Sequence, residues 1–338
     1  MKDKPETNRS IDRLRDSAGS LTISTPDDDT PIRELISTDE RLLIVKDKAI
    51  YEIALADQID PERTNPAIPN TIQKILSFGA TDSWIGAVIL TSRELFLSSC
   101  FDSNIGRKAF NLTLEIAQDI AGAKQILQEY SKRESESIES VDLKIRQDRS
   151  FVLPAAGNVE TTCNEYLQRV EHAFRELFKL AQLFYPDVSS GMWDSLKAKI
   201  DSDPQDIDNF SMFLESSIGL PKLIKNARNC VEHPRPDQRI VVNDFRIDQN
   251  NNLVPPTIEV VHSKTPMSTT LVKGFFESSF ESLVQIVELM VVFLSSRHAG
   301  KAGGLQVFVM ELTPEQRKTP HVRYAFGLAM GDKLVPIS

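Results

Sequence analysis

The sequence of 338 residues predicts a mainly α-helical protein: an antiparallel helical bundle with an inserted β-hairpin and a small β tail at the C-terminal end. Three observations predict this fold class. Long segments carry apolar residues at the three- and four-residue spacing of a helix, residues 239–262 change to the alternation of strands, and short strand-like runs follow residue 304. With 41% hydrophobic residues, the chain is long enough for a sizeable core and for more than one domain.

The N-terminal region, residues 31–150, is predicted to be helical and to follow a flexible arm. Residues 1–30 are mostly polar and charged, which predicts a disordered arm. The next segment offers Ser37 and Thr38 as candidate N-caps, followed by apolar residues at roughly helical spacing. Four helices are predicted in this region, over residues 37–59, 71–78, 84–101 and 107–132.

The second region, residues 151–300, is predicted to form the helical bundle. Its most regular helix runs from Leu167 to near Pro186, with apolar residues three and four apart. Further helices are predicted over residues 193–200, 207–217, 221–233 and 274–297. We expect the last of them, which is the most apolar, to pack against the helix of residues 221–233.

A β-hairpin is predicted to interrupt this bundle at residues 239–262, with a turn at residues 249–252. Pro255 and Pro256 cannot donate ladder hydrogen bonds, which predicts an edge position for the second strand. The hairpin either covers part of a neighbouring functional site or is a surface insertion without a role in that site. Residues 301–338 are predicted to form a small β tail of three short strands.

The charge and the cysteine content limit the function classes. A net charge of −9 at pH 7 argues against a general nucleic-acid-binding surface, because phosphate favours basic surfaces. The three cysteines lie far apart without a CxxC pair, which argues for a reducing compartment. The first thirty residues do not resemble a signal peptide, and the most apolar run, residues 283–294, is too short to span a bilayer. We therefore expect a cytoplasmic protein without membrane contact.

The segment of residues 221–233 carries the candidate functional residues. It predicts an amphipathic helix with Pro221 in its first turn and Pro234 at its end. One face of this helix is apolar and consists of Leu223, Ile224, Ala227, Cys230 and Val231. Four polar residues lie off that face near the end of the helix: Arg228, Asn229, Glu232 and His233.

The spacing on the helix decides which of these side chains can meet. Asn229 and His233 are four residues apart, so the amide could hydrogen-bond the imidazole. Arg228 and Glu232 have the same spacing and could form an ion pair. Arg228 and His233 are about 140° apart around an ideal helix, so they would not naturally face one phosphate. Either His233 leaves the helix because a proline follows it, or two copies complete each other's site across a symmetric dimer.

The pattern of Arg228, Asn229, three further residues and His233 resembles the motif of the HEPN superfamily. These are helical domains, many of them metal-independent ribonucleases of bacterial toxin, abortive-infection and CRISPR systems. The resemblance covers about residues 159–298 and implies a HEPN-type bundle with the hairpin as an insertion. It also implies a dimer cleft in which an RNA 2′-hydroxyl attacks the adjacent phosphate, without a metal or a cofactor.

Each motif residue suits a role in the chemistry that the resemblance implies. His233 can move a proton near neutral pH. Arg228 presents a fixed fork of donors to the phosphorane oxygens. Asn229 would position the imidazole or a phosphate oxygen. Glu232 would either tune His233 or hold Arg228.

A local excess of positive charge accompanies the motif. Residues 221–246 carry six basic and three acidic residues, a net charge of +3 on an acidic chain. This excess of positive charge is either ordinary surface variation or it restricts the binding of a polyanion to the site. In the second interpretation, the substrate-binding residues are Lys225, Arg235 and Arg239. We expect an endoribonuclease of phage defence or of a toxin–antitoxin system. Its expected partners are RNA, a second copy of the chain, and an antitoxin or another defence protein.

Other interpretations of the motif helix stay open. It could be a non-catalytic RNA- or protein-binding surface, in which Glu232 takes up Arg228 and His233 is merely solvated. A nucleotide-sensing subunit would need a separate pocket, which no Walker A or GxGxxG pattern indicates. Cys230 and His233 are spaced to bind zinc but lack a second ligand pair. Three further histidines show no evident carboxylate or cysteine arrangement in the sequence: His262, His298 and His321.

Overall fold

The protein is described here by a computed structural model. It describes residues 9–17, 25, 28–38, 41–140, 147–189, 191–202, 209–302, 304–330 and 333–337. The chain forms two compact units, Met1–Ile85 and Gly86–Ser338. About 50% of the protein is helical and 20% is strand, so the fold is mixed α/β. The prediction of a mainly α-helical bundle is therefore wrong, because the described residues form four sheets.

The N-terminal unit is built on an antiparallel sheet with its strands in sequential order. Its elements are α1 (Ser10–Asp16), β1 (Ile32–Ser37), β2 (Leu42–Lys46), β3 (Ile50–Ala54), α2 (Ala56–Ile59), β4 (Thr71–Leu76) and α3 (Ser83–Ile85). Ile44, Tyr51 and Ile53 are buried together in the core of this sheet.

Two predicted helices of this unit are strands. The prediction of one helix over residues 37–59 is wrong, because β2 and β3 occupy the middle of that range and only the short helix α2 lies at its end. β2 is buried along nearly its whole length, so its apolar residues form a continuous run without the alternation that marks a half-buried strand. Such a run fits a buried helix and a buried strand equally well. The helix predicted over residues 71–78 is β4.

The predicted disordered arm is described only in part. Ser10–Asp16 form α1, which the sequence did not predict. Arg15 of this helix is nearly buried and forms ion pairs with Asp57 (2.7 Å) and Asp60 (3.0 Å). These pairs fix α1 to the segment after β3. Residues 1–8 and 18–24 of the arm lie outside the described residues.

The C-terminal unit has helices at its centre. It begins with a π-helical segment, Gly86–Leu90, and contains α4 (Thr91–Phe96), α5 (Ser103–Glu139), α6 (Val159–Phe184), α7 (Trp193–Asp201), α8 (Phe210–Ser217), α9 (Gly219–Glu232) and α10 (Val272–His298). The helices predicted over residues 107–132, 221–233 and 274–297 are thereby confirmed, with different ends. α6 packs against α5, α9 and α10. The motif helix α9 packs mainly on α6 and on the strand Arg239–Asn243, and to a smaller extent on α8, not on α10 as expected.

The other three sheets belong to the C-terminal unit. Their strands are β5 (Arg239–Asn243), β6 (Arg246–Ile247), β7 (Leu253–Val254), β8 (Thr257–Val261), β9 (Met267–Leu271), β10 (Lys301–Ala302), β11 (Leu305–Glu311), β12 (Tyr324–Met330) and β13 (Lys333–Pro336). The hairpin prediction is confirmed, since β5 pairs with β8 and β6 with β7. The predicted edge position of its second strand is wrong, because β8 lies between β5 and β9. Pro255 and Pro256 precede β8 and do not interrupt its ladder. The predicted β tail is a sheet of β10 to β13 in sequential order.

By length and composition, α10 is a candidate membrane span within the described residues. However, 56% of its most apolar window is buried inside the protein. Glu288 on this helix is 1% exposed and accepts hydrogen bonds from Arg323 of the C-terminal segment with both carboxylate oxygens. Burial of this extent is typical of a helix in a protein core.

Candidate functional site

The candidate site lies on α9, and the local sequence explains where that helix runs. Ile224, Ala227 and Cys230 form its buried face, and Pro221 lies in its first turn, where a missing N–H costs little. The helix ends at His233 (φ −135°, ψ 63°), because Pro234 disfavours the helical conformation at the residue before it.

The predicted site residues lie on the solvent side of α9 and of the loop that follows. Lys225, Asn229, Glu232 and His233 are exposed, and the side chain of Arg228 is 25% exposed. The backbone N–H of His233 still donates to the Asn229 carbonyl at 2.9 Å, so the Cα of His233 continues the helical spiral. The expected hydrogen bond between the Asn229 amide and the His233 ring is not found among the described residues.

One flank of α9 faces α6 and carries Arg228, which two carboxylates pair with. We call it the closed flank. Arg228 Nη2 lies 2.6 Å from Glu232 Oε1, which confirms the predicted pair, and Nη1 lies 3.6 Å from Glu171 Oε2. The Glu171 side chain is 14% exposed, and its Oε2 atom is buried without a hydrogen-bond partner in the described part of the chain. Two carboxylates therefore face one guanidinium. Sequence reasoning missed Glu171, because only the packing of α6 on α9 brings it to the motif.

The other flank, which we call the open flank, faces the turn between β8 and β9. We call that turn the 262–266 turn. Asn226 Nδ2 donates to Thr265 Oγ1 at 3.1 Å, and Cys230 Sγ lies 4.0 Å from the Val261 carbonyl oxygen. These contacts are uncharged. At 100° per residue, Asn226, Cys230 and His233 fall within about 60° of one another around the helix, so His233 belongs to this flank.

The 262–266 turn contributes a second histidine that sequence reasoning left without a role. His262 Nδ1 accepts the backbone N–H groups of Lys264 and Thr265, both at 3.2 Å, and lies 3.2 Å from Thr265 Oγ1. The register of β5 with β8 pairs Arg239 with Val261, which places His262 beside the loop that follows His233. No sequence pattern indicated this neighbourhood, because it depends on strand register.

The structure does not bring Arg228 and His233 together within one chain. No hydrogen bond or ion pair joins them among the described residues, and Arg228 is directed at α6. Within that same part of the chain, the His233 ring has no hydrogen-bond partner. The alternative in which His233 simply leaves the helix to meet Arg228 is therefore not the arrangement seen in the protomer.

The predicted substrate-binding cations lie on α9 and on the loop after it. At 100° per residue, Lys225 falls about 20° from Glu232 and about 80° from His233 around the helix. Lys225 and Arg235 are exposed and have no ion pair in the described residues, whereas Lys222, one turn earlier on α9, is paired with Asp194 at 2.6 Å. Arg239 donates to the Pro236 carbonyl oxygen and to no carboxylate in that part of the chain. These cations are available to an anion.

The zinc and nucleotide interpretations gain no support from the geometry. The described residues contain no group of three or more His, Cys, Asp or Glu side chains that could hold a metal ion. Cys230 is 3% exposed, and burial raises the pKa of its thiol. Two grooves lie between α5 and α6. Glu129 and Glu165 line both of them, and each groove has one more carboxylate than lysine and arginine side chains in its lining, which does not favour a phosphate.

The chain was compared with protein-family models, with curated proteins and with solved structures, and it matches none of them. The fold and the site together define a mixed α/β protein with an exposed polar helix face.

Proposed function

We propose that this protein is a metal-independent endoribonuclease whose site is completed by a second copy of the chain. The observation that carries the proposal is the environment of His233. Its ring is exposed, it has no partner in the described residues, and it directly follows the helix that carries Arg228 and Asn229. An imidazole in that position can exchange a proton with a bound substrate.

The chemistry follows from the residue types. His233 takes the proton from an RNA 2′-hydroxyl, whose oxygen attacks the adjacent phosphorus, while water protonates the departing 5′-oxygen. In the reverse assignment, water takes the 2′-hydroxyl proton and His233 protonates the 5′-oxygen. The attack forms the new phosphorus–oxygen bond as the bond to the 5′-oxygen breaks, so the products are a cyclic phosphate and a 5′-hydroxyl. Arg228 stabilises the charge on the phosphoryl oxygens. Asn229 orients the phosphate from the same face.

A second copy is part of the proposal because one protomer does not supply a joint site. Arg228 and His233 are about 140° apart around α9 and face different neighbours. A two-fold axis beside the exposed face of α9 would place Arg228 of one protomer opposite His233 of its partner. The two residues would then meet at one phosphate.

RNA is the proposed substrate for two reasons. Attack by a 2′-hydroxyl requires ribose, which DNA lacks. Arg235 and Arg239 follow His233 closely in the chain, and Lys225 lies about two turns earlier on α9. They offer local positive charge on a chain whose net charge is −9, so a polyanion is attracted to this surface and repelled elsewhere. The resemblance of the motif to HEPN ribonucleases extends the proposal to a cytoplasmic role in phage defence or in a toxin–antitoxin system, with an antitoxin or defence protein as partner.

A second candidate function is a non-catalytic RNA- or protein-binding module, and the pairing of Arg228 favours it. Glu232 accepts a hydrogen bond from the guanidinium and Glu171 forms an ion pair with it, so a phosphate must compete with two carboxylates for Arg228. In the endoribonuclease, Glu232 is the carboxylate that moves, because it is exposed while Glu171 is packed between helices.

The test is cleavage of total cellular RNA by the purified protein in EDTA. We expect cleavage by the wild type and its loss in Arg228→Ala and in His233→Ala, with the circular dichroism spectrum unchanged. His172→Ala, which removes a half-exposed histidine from α6, is the matched control and should cleave normally. No cleavage by a wild-type dimer would favour the binding module, and cleavage that survives both substitutions would place the activity elsewhere.

A further inference from the structure

The 262–266 turn is fixed to α9 by side-chain contacts from both partners. Asn226 donates to Thr265 Oγ1 at 3.1 Å, and Thr265 Oγ1 in turn lies 3.2 Å from His262 Nδ1. His262 is half-buried, so part of its ring reaches solvent. The helix that carries His233 thus also holds a second imidazole in place.

The hydrogen bonds of His262 define its tautomer. Nδ1 accepts the backbone N–H groups of Lys264 and Thr265, both at 3.2 Å. A nitrogen that accepts carries no proton, so the neutral ring bears its hydrogen on Nε2. Nε2 has no hydrogen-bond partner in the described part of the chain. The turn therefore holds a ring with one satisfied nitrogen and one available N–H donor.

The surroundings of His262 suit a phosphate oxygen. Lys264, in the same turn, is exposed and has no ion pair among the described residues. Arg239, at the start of β5, pairs with Val261, the residue before His262. His262 and His233 both border the loop of residues 234–238, which carries Arg235. The nearest acidic residue of that loop is Asp237, which is exposed.

We propose that His262 is a substrate-binding residue of this site, which donates an Nε2–H hydrogen bond to a phosphate oxygen of an RNA strand. The inference rests on the proposed function for the identity of the strand. His262 acts in the same protomer as His233 and contacts a phosphate next to the cleaved one. Its role is to hold the strand, whereas His233 moves the proton.

The test must remove the Nε2 donor of the His262 ring without removing the acceptor at Nδ1. His262→Asn keeps an acceptor near the position of Nδ1, so the turn is preserved, and removes the Nε2 donor. The probe is a single-stranded 2′-O-methyl RNA oligonucleotide, which cannot be cleaved by 2′-hydroxyl attack, and binding is measured by fluorescence anisotropy. We expect His262→Asn to weaken binding about tenfold, the loss of one hydrogen bond to a charged acceptor, with an unchanged melting temperature. His172→Asn, the matched histidine control, should bind like the wild type.

A second measurement observes the His262 ring of the wild-type protein directly, and the variant is needed only to assign its signal. Selective ¹⁵N-histidine labelling gives signals from five histidines, and the His262→Asn spectrum identifies the one from His262. We expect Nε2 of His262 to carry the hydrogen and its shift to move when the oligonucleotide is added. Unchanged binding in His262→Asn, or an unmoved Nε2 shift, would make His262 a turn cap only.

The two proposals fail in different ways. If the wild type binds the 2′-O-methyl oligonucleotide and His262→Asn weakens that binding, the role of His262 stands even where unmodified RNA is not cleaved. If unmodified RNA is cleaved and His262→Asn changes neither oligonucleotide affinity nor KM, the nuclease stands and the role of His262 is refuted. If the wild type binds no oligonucleotide, the role of His262 is refuted as well.

Discussion

The two flanks of α9 have opposite surroundings, although they belong to one helix of 14 residues. The flank that faces α6 carries Arg228, which two carboxylates occupy. The flank that faces the 262–266 turn carries His233, whose ring is exposed and has no ion pair in the described residues, and the contacts between this flank and the turn are uncharged. The group suited to bind an anion is therefore restrained, while the group suited to carry a proton is accessible. An activity that needs both side chains requires that Arg228 separates from these carboxylates. It also requires that Arg228 of one copy of the chain meets His233 of a second copy.

The largest effect is expected from removing the imidazole on the open flank. His233→Gly should lower RNA cleavage by about 10²- to 10⁴-fold, the usual contribution of a general acid or base. Since the ring is solvent-exposed and makes no contact in the described protomer that folding requires, added free imidazole should restore part of the rate. Rates are measured on a labelled RNA oligonucleotide in EDTA.

The matching experiment on the closed flank is the rescue of Arg228→Gly by free guanidinium. Arg228→Gly should lose cleavage to a similar degree, and added guanidinium should restore little, because Glu171 and Glu232 compete for the cation. Rescue of Arg228→Gly as efficient as that of His233→Gly would show that the two flanks are equally open, and the comparison would be wrong.

The next largest effect is expected from breaking the contact that holds the 262–266 turn against α9. Asn226→Ala removes the hydrogen bond to Thr265 and should loosen the 262–266 turn, with a loss of about 1 kcal/mol in the free energy of unfolding. Cys230 Sγ lies 4.0 Å from the carbonyl oxygen of Val261, the residue before this turn, and burial raises the pKa of the Cys230 thiol. We expect its alkylation by iodoacetamide at pH 8 to accelerate about tenfold, as measured by peptide mass spectrometry.

Cys163 is the internal control for this experiment. It is fully buried on α6, and burial raises the pKa of its thiol to about 12. Its alkylation should not change in Asn226→Ala. Equal acceleration at both cysteines would indicate general unfolding, and no acceleration at Cys230 would mean that the turn does not cover it.

A smaller effect tests the restraint on Arg228. Glu171→Gln removes one negative charge beside the guanidinium and should strengthen binding of the 2′-O-methyl oligonucleotide about threefold, since the pair is partly exposed and screened. Glu176→Gln is the matched control, because Glu176 also lies on α6 and also has a buried, unpartnered Oε2 atom, but its cation partners are Lys179 and Arg175. Weaker binding in Glu171→Gln would instead make Glu171 a residue that positions Arg228 for the substrate.

The smallest effect compares two lysines of α9. Lys225→Ala should weaken oligonucleotide binding about twofold and reduce the slope of log affinity against log salt by about one. Lys222→Ala should leave the slope unchanged, because Lys222 is already paired with Asp194. Anisotropy titrations over a range of salt concentrations give both slopes, and equal slopes for the two variants would exclude a phosphate contact by Lys225.

The sequence predicted the features that depend on local spacing. Helix α9, its proline-defined ends and the pair of Arg228 with Glu232 follow from periodicity and from the distance of one helical turn. The hairpin followed from its alternation and its turn. These features need no knowledge of the rest of the chain.

The features that depend on tertiary packing could not be predicted in this way. β2 is buried on both faces, so it lacks the alternation that separates a strand from a helix, and the N-terminal sheet was missed for that reason. Glu171 and His262 reach the motif only through helix packing and strand register. No spacing in the sequence relates either residue to Arg228 or His233.

The central claim is that Arg228 of one protomer acts with His233 of its partner, and complementation between inactive variants tests it most directly. Arg228→Ala and His233→Ala are each purified, mixed in equal amounts, allowed to exchange subunits and assayed for RNA cleavage in EDTA. In a mixed dimer one site carries both substitutions and the other carries neither. We expect the mixture to recover up to about a quarter of the wild-type activity, because about half of the dimers are mixed and each has one intact site. A mixture that forms mixed dimers, as shown by native mass spectrometry, and stays inactive at every ratio would contradict a site shared between protomers.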